Sequence, residues 1–262
     1  MGARSPSAEV ARGSVVFVGT GFSLLVQTTR EAQTEIERAD KLFYLVSDPA
    51  QAVWFHEKNA AAESLAHHYE EGKPRIDSYE AMVAQILSHV AKGERVCVAF
   101  YGHPGVGCDP THMIMRRAAA EGFRARILPG ISSDACLYAD LAVDPMEDGV
   151  QAYEASLFLF RRPRIDVRAA LLLWQVGFVG EPSIKFSGDV NRPGLRALVL
   201  YLRKHFPASH RVAIYEASWY PICPPQILWV PLSKVAAAVP NAAATLYIPP
   251  LASLGKNPRT NH

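Results

Sequence analysis

Apolar residues along this chain follow two different periods. Short runs in which nearly every position is apolar, Ser14–Val18 (SVVFV), Lys41–Val46 (KLFYLV) and Arg95–Phe100 (RVCVAF), predict buried strands. Between them the apolar positions recur at three and four. Ile76, Tyr79, Met82, Val83, Ile86, Leu87 and Val90 trace one face of a helix that ends at Gly93. A polar helix is expected over Thr28–Ala39, and helical or irregular structure over Trp54–Tyr69. Asp109-Pro110 reads as an N-cap and first-turn proline for a helix through Arg117 that stops near Gly122. Arg124–Leu128 is a strand closing on Pro129-Gly130, and Ser132-Ser133-Asp134 caps a helix through Asp140. This alternation of strand and helix predicts an α/β fold.

Leu141–Gly149 is acidic and broken by Pro and Gly, and it reads as a linker. It separates an N-terminal α/β domain over 14–142 from a C-terminal one over 150–250. In the second half, Gln151–Phe160, Ala169–Val179, Arg211–Tyr215 and Thr245–Ile248 fit a sheet, with one helix over Pro193–His205. Pro221, Pro224, Pro225, Pro231, Pro249 and Pro250 confine their region to edges and loops. Residues 1–13 are polar and expected to be disordered, and 251–262 form a polar tail.

Composition narrows the classes. The 262 residues are 49% hydrophobic and 20% charged, as in ordinary globular proteins, and can bury one large or two modest cores. A net charge of +2 gives no footprint for nucleic acid. The four cysteines are scattered without a C-x-x-C, so neither a zinc site nor a disulfide framework is indicated, and a reduced, cytoplasmic setting follows. There is no signal core, and no run approaches the ~20 apolar residues that span a bilayer.

The stretch with the most chemistry in it is Arg95–Gly107, RVCVAFYGHPGVG. A buried strand runs into a loop with three glycines and a proline, and a helix follows. That order places a small-molecule site at the carboxyl end of a strand, where backbone can approach a ligand closely. Gly19-Thr20-Gly21 after the first strand lacks the G-x-G-x-x-G spacing and is a weak dinucleotide signal. Arg75 and Tyr79 are four apart and share a side of their helix. Spacing alone favours a solvated arginine beside a core-edge tyrosine. His67 and His68 are adjacent, point apart on a regular element and lack a third ligand at metal spacing, so they read as surface histidines.

These motifs, in order, carry a resemblance. VVFVGTG, YGHPGV and LPGISSDACLYADLAVDP resemble the tetrapyrrole-methylase fold of S-adenosylmethionine-dependent methyltransferases, from Val15 to about Pro250. Within it, PRIDSYEAM, YGHPGV, ISSDACLYADL, LLLWQ, IYEA and TLYIPP are similar to the borosin peptide-backbone N-methyltransferases. In fused members a leader and core peptide follow TLYIPP. Here only Leu251–His262 follow, which resembles the split systems that act on a separate precursor peptide. The resemblance implies two α/β domains with a cofactor crevice between them and an intertwined homodimer. It assigns Tyr101, His103, Val106, Ser132, Ala135, Gln175, Tyr215, Ala217, Ala244 and Thr245 to S-adenosylmethionine, with Ala244 standing where a serine often occurs. It assigns Tyr69, Arg75, Tyr79 and Tyr101 to the substrate side and requires no metal.

Chemistry supports that second set. An amide nitrogen is a poor nucleophile because its lone pair is delocalised into the carbonyl. Methylation needs removal of its proton and stabilisation of charge on the carbonyl oxygen. A tyrosine whose pKa is drawn below its reference of ~10 by a guanidinium is a candidate base. Arginine, always charged, is a donor to the developing oxyanion. Tyr79 is therefore expected as base or oxyanion donor, Arg75 as its electrostatic partner and Tyr101 as a positioning group. Two other readings stay open: a methyltransferase for a tetrapyrrole or other small molecule, and a catalytically idle partner that holds cofactor or peptide.

Overall fold

A computed structural model describes residues 13–23, 25–46, 48–183, 185 and 188–251; the expectations for 1–12 and 252–262 lie outside the described residues. The chain forms two compact units, one up to Glu70 together with Arg75–Ser132, the other Glu71–Pro74 together with the residues from Ser133 on.

The first unit runs β1 (Ser14–Gly19), α1 (Arg30–Arg38), β2 (Lys41–Leu45), α2 (Pro49–Lys58), β3 (Ala62–Ser64), α3 (Arg75–Ala91), β4 (Arg95–Phe100), α4 (Asp109–Glu121) and β5 (Arg124–Ile127). Its sheet has the order β3-β2-β4-β1-β5, and every pairing is parallel. Alternate residues of each strand serve opposite faces. Phe17, Phe43, Val96 and Val98 pack with Met82, Val83 and Ile86 of α3 and Ile114 of α4. Val16, Val18, Leu42 and Tyr44 pack with Ile36 of α1 and Phe55 of α2. Helices on both faces are the reason the central strands β1, β2 and β4 are apolar at every position after the first.

Local chemistry sets the helix ends. Thr29 caps α1, accepting from the Ala32 N–H at 3.1 Å. Gly122 takes the left-handed conformation that ends α4. Three expectations change. Asp109 is the first helical residue and Cys108 is the cap, without a side-chain capping bond. Trp54–Tyr69 divides into the end of α2, the edge strand β3 and a 3-10 turn at Ala66–His68. In that turn the His67 and His68 rings do not point apart, and their centroids lie 4.1 Å from each other.

The second unit runs α5 (Ser133–Leu141), β6 (Val150–Glu154), α6 (Ala155–Arg161), β7 (Ala170–Trp174), α7 (Arg192–Leu202), β8 (Arg211–Glu216), β9 (Gln226–Pro231), α8 (Val235–Ala238) and β10 (Thr245–Ile248). Its sheet, β6-β7-β10-β8-β9, is mixed: β6 and β7 are parallel, while β10 is antiparallel to β7 and β8, and β9 to β8. Leu171, Leu173, Ile214 and Leu246 face α6 and α7 through Phe158, Leu195 and Leu198. The run expected as a strand over Gln151–Phe160 is strand only to Glu154. There the Glu154 carboxylate accepts from the Ser156 and Leu157 N–H groups and starts α6. Asn191 likewise starts α7, accepting from Gly194 N–H at 3.2 Å. The strand β9 lies at the sheet edge between Pro225 and Pro231, where missing N–H donors cost least.

Three glycines bring the carboxyl ends of β1, β4 and β5 together. A Cβ on Gly19 would lie 2.2 Å from the Gly102 carbonyl oxygen, and one on Gly130 would lie 2.9 Å from the Gly19 Cα. Gly21 and Gly102, both at φ +68, exchange two backbone hydrogen bonds of 3.3 and 2.8 Å. Gly19→Ala should therefore destabilise the protein by about 3 kcal/mol or more, since overpacked backbone has nowhere to move. Gly107, at φ +62 with open space around it, should lose only about 1 kcal/mol as alanine, the cost of the left-handed conformation. Urea denaturation of the two variants checks the ranking; equal losses would refute it.

Candidate active site

The glycine contact fixes two loops side by side. After Gly21, Gln27 Oε1 accepts from the Phe22 and Ser23 N–H groups at 2.7 and 3.1 Å and closes the turn. Phe22 then lies edge-to-face on Tyr101, centroids 5.9 Å apart. In the second loop His103 Nδ1 accepts from Gly105 N–H at 2.9 Å, which leaves the ring proton on Nε2. His112 Nε2, from α4, reaches the Gly105 carbonyl at 2.9 Å. Val106 and Tyr101 are 40% and 37% exposed, so the loop presents side chains outward from a rigid base.

Tyr69 reaches this region through a contact that no motif announces. The buried Ser78 of α3 donates to the His68 carbonyl at 2.9 Å and pins the chain before Tyr69 to the helix that carries Arg75 and Tyr79. Tyr69, Arg75, Tyr79 and Tyr101 consequently feel one another, and so does Cys108 at the start of α4. All four residues of the expected substrate set come together; Cys108 and Phe22 join them. The only trace of these two in the sequence is that each directly follows a glycine loop.

The electrostatics reverse one expectation. Burial pushes Tyr79 up to about 12, against the pull of Arg75 and with Asp109, Cys108 and Tyr101 adding to the rise. Burial likewise raises Tyr69, and desolvation raises Tyr101 although that residue is 37% exposed overall, with Arg75 the one neighbour opposing the rise in both. Cys108 is pushed up to about 11 by burial, so it is a thiol and not a nucleophile at neutral pH. The phenols stand as neutral hydroxyl donors because desolvation disfavours the phenolate more than one guanidinium favours it.

In the second unit the expected cofactor positions gather at one end of the sheet. Pairing of β10 with β7 and β8 puts Thr245 opposite Tyr215, with Ala217 and Gln175 just past their strands. Gln175 is left-handed at φ +57, and the next N–H donates to the Ala244 carbonyl at 3.0 Å. Asn241 holds the loop before Ala244, donating to Glu216 at 2.5 Å and accepting from Ala243 N–H at 3.0 Å. Tyr215 and Ala244 are almost fully buried, and the Tyr215 hydroxyl donates to Asp140 at 2.6 Å, tying α5 to β8. Ala135 is exposed on α5, and Ser132, half-buried, precedes that helix. Two buried atoms next to these positions, Asp134 Oδ1 and Trp174 Nε1, have no hydrogen-bond partner among the described residues.

Among the described residues no group of three or more His, Cys, Asp or Glu side chains could hold a metal ion, and no helix is long and apolar enough to cross a membrane. None of the four cysteines, all among the described residues, is in a disulfide.

The profile of the tetrapyrrole (corrin/porphyrin) methylases matches residues 14–219, and the chain belongs to that family. Within it the chain is similar to borosin-type proteins. It is 38% identical, over 96% of its length and 61% of the relative's, to the methyltransferase and precursor of the ribosomally synthesised cyclic peptide omphalotin A from Omphalotus olearius. It is 42% identical to the corresponding lentinulin A protein of Lentinula edodes, over 80% of this chain and 50% of that one. The chain thus spans about six-tenths or less of these curated relatives. Uroporphyrin-III-C-methyltransferase from Thermus thermophilus shares the fold, with a TM-score of 0.65 at 16% identity over 91% of this chain and 93% of that one.

Arg75→Gln should shift the ionisation of the clustered tyrosines to still higher pH, because it removes the one group drawing them down. Phenolate absorbance, read as a difference from Tyr79→Phe, measures this; an unmoved or lower midpoint would contradict it. Folded Tyr79 keeps its proton to about 12, whereas an unfolded tyrosine releases it near ~10. Its contribution to stability is therefore full below ~10 and is lost as the pH rises from there through the folded value.

Proposed function

We propose that the chain is an S-adenosylmethionine-dependent methyltransferase that N-methylates backbone amides of a precursor peptide. The observation that carries this is the grouping of Tyr69, Arg75, Tyr79 and Tyr101 beside the Tyr101–Gly107 loop. The relatives, whose names pair a methyltransferase with a cyclic-peptide precursor, support it.

S-adenosylmethionine, when bound, supplies an electrophilic methyl group on a sulfonium. The residues present fit such a ligand: Asp134 Oδ1 is a spare buried acceptor and Trp174 Nε1 a spare buried donor, which a zwitterionic nucleoside derivative can satisfy. On the first unit the candidate contacts are Tyr101, His103, Val106 and Ser132. On the second they are Ala135, Gln175, Tyr215, Ala217, Ala244 and Thr245, with the Tyr215 side chain already engaged by Asp140.

At the acceptor amide the chain has two tasks: holding the carbonyl oxygen as charge develops on it, and accepting the N–H proton. Tyr79, protonated at neutral pH, serves the first as a hydroxyl donor, and Arg75 supplies the charge. A proton-accepting role for any of the three tyrosines depends on Arg75, the one neighbour favouring their ionised form. A backbone amide fits this set better than a tetrapyrrole carbon, which needs no oxyanion donor.

Arg75→Lys keeps the charge but not the planar fork, and Tyr79→Phe keeps the ring but not the hydroxyl. Each should retain thermal stability and cofactor affinity while losing at least ~10²-fold in methyl transfer. The assay incubates enzyme and cofactor with the short peptide encoded in the neighbouring reading frame and locates added methyl groups by tandem mass spectrometry. Methyl groups on backbone nitrogens of the added peptide support the proposal, including a separate polypeptide as acceptor. Methylation of a side chain or of an added tetrapyrrole, or near-normal turnover by either variant, would overturn it.

A further inference from the structure

The charge of the chain is unevenly placed. The α6 stretch Ala155–Arg168 and the α7 stretch Arg192–His205 hold eight of the 27 Lys and Arg residues and one of the 25 Asp and Glu. They therefore carry +7 in a chain of net +2, and the remainder is −5. The single carboxylate, Asp166, is taken by Arg168 at 3.1 Å. The two helices pack together through Phe158 and Tyr201, ring centroids 5.6 Å apart. Arg162 and Lys204, one from each stretch, converge on the Tyr201 ring at 5.8 and 6.0 Å. Arg196, Leu200 and Arg203 form an exposed stripe along α7 at helical spacing.

Large apolar side chains stand among these cations. Phe160 is 85% exposed, Leu200 63% and Leu157 47%. Seven of the eight cations are arginine. Arginine and aromatic enrichment with lysine depletion is the composition of protein–protein interfaces. A guanidinium fork matches a carboxylate, whereas a phosphodiester backbone offers nothing to Phe160 and the leucines. Pairing of this face with itself in a second copy would set like charge on like charge.

The geometry points to α6 and α7 as a docking surface for an acidic, amphipathic polypeptide segment, its carboxylates on the arginines and its apolar face on Leu157, Phe160 and Leu200. None of these residues belongs to the set proposed for methyl transfer, and the inference does not rest on that reading.

The probe is a synthetic helical peptide with one leucine face and one glutamate face, followed by fluorescence anisotropy. A glutamine-for-glutamate counterpart, single-stranded DNA and phosphatidylcholine vesicles containing phosphatidylserine are run beside it. The glutamate peptide should bind the wild-type chain in a salt-sensitive way. Arg196→Glu with Arg203→Glu should weaken binding roughly tenfold or more, and so should Phe160→Ser. Lys92→Glu, an exposed position in the first unit, should not. All these positions are exposed, so unchanged thermal melts are expected. Equal binding of the glutamine peptide, tighter binding of DNA or vesicles, or no binding of the glutamate peptide at ~1 mM would overturn the inference.

Discussion

The first unit depends on backbone touching backbone. Where β1, β4 and β5 end, Gly19, Gly102 and Gly130 approach so closely that no side chain fits between them. That approach lets Gly21 and Gly102 exchange hydrogen bonds, which turns two separate loops into one platform. Phe22 then rests on Tyr101, and the His103–Gly105 and His112–Gly105 bonds stiffen the remainder. A parallel sheet leaves its carboxyl ends open, and here glycine sets how tightly the loops above them can close.

On that platform, desolvation and charge oppose one another. One guanidinium faces three phenols, and burial prevails over it at each. The resting cluster is thus a set of neutral donors biased by one cation. Such an arrangement suits stabilisation of charge that appears only during a reaction, because no counter-charge has to be displaced beforehand.

The second unit meets a similar demand by another route. Gln175 holds a left-handed conformation that costs a non-glycine residue about 1–2 kcal/mol. The β7–β10 ladder on one side and the Val176–Ala244 hydrogen bond on the other hold it there. Strain retained by surrounding structure at the end of a strand is a feature of binding sites, and the two unsatisfied atoms of Asp134 and Trp174 lie on residues next to the expected cofactor positions. Elsewhere in the same unit, the arginines of α6 and α7 show that a nearly neutral chain can still present a strongly charged face.

The sequence alone determined the strands buried on both faces, the long amphipathic helix α3, the glycine loop after β4 and the shared side of Arg75 and Tyr79. Each follows from backbone period and solvent exclusion over a few residues, and these act the same way in any fold. The division of Gln151–Phe160 between strand and helix turned on a single glutamate cap, a local competition that apolar pattern does not register. Tertiary structure decided the rest. Tyr69 joins Arg75 and Tyr79 because Ser78 bonds to the carbonyl of His68, ten residues away. Phe22 meets Tyr101 across a glycine contact spanning most of the first unit. The sign of the tyrosine shifts depends on how much protein surrounds each hydroxyl, a sum over neighbours brought in from every element. Spacing could place a guanidinium beside a phenol, but only packing determined that burial outweighs it.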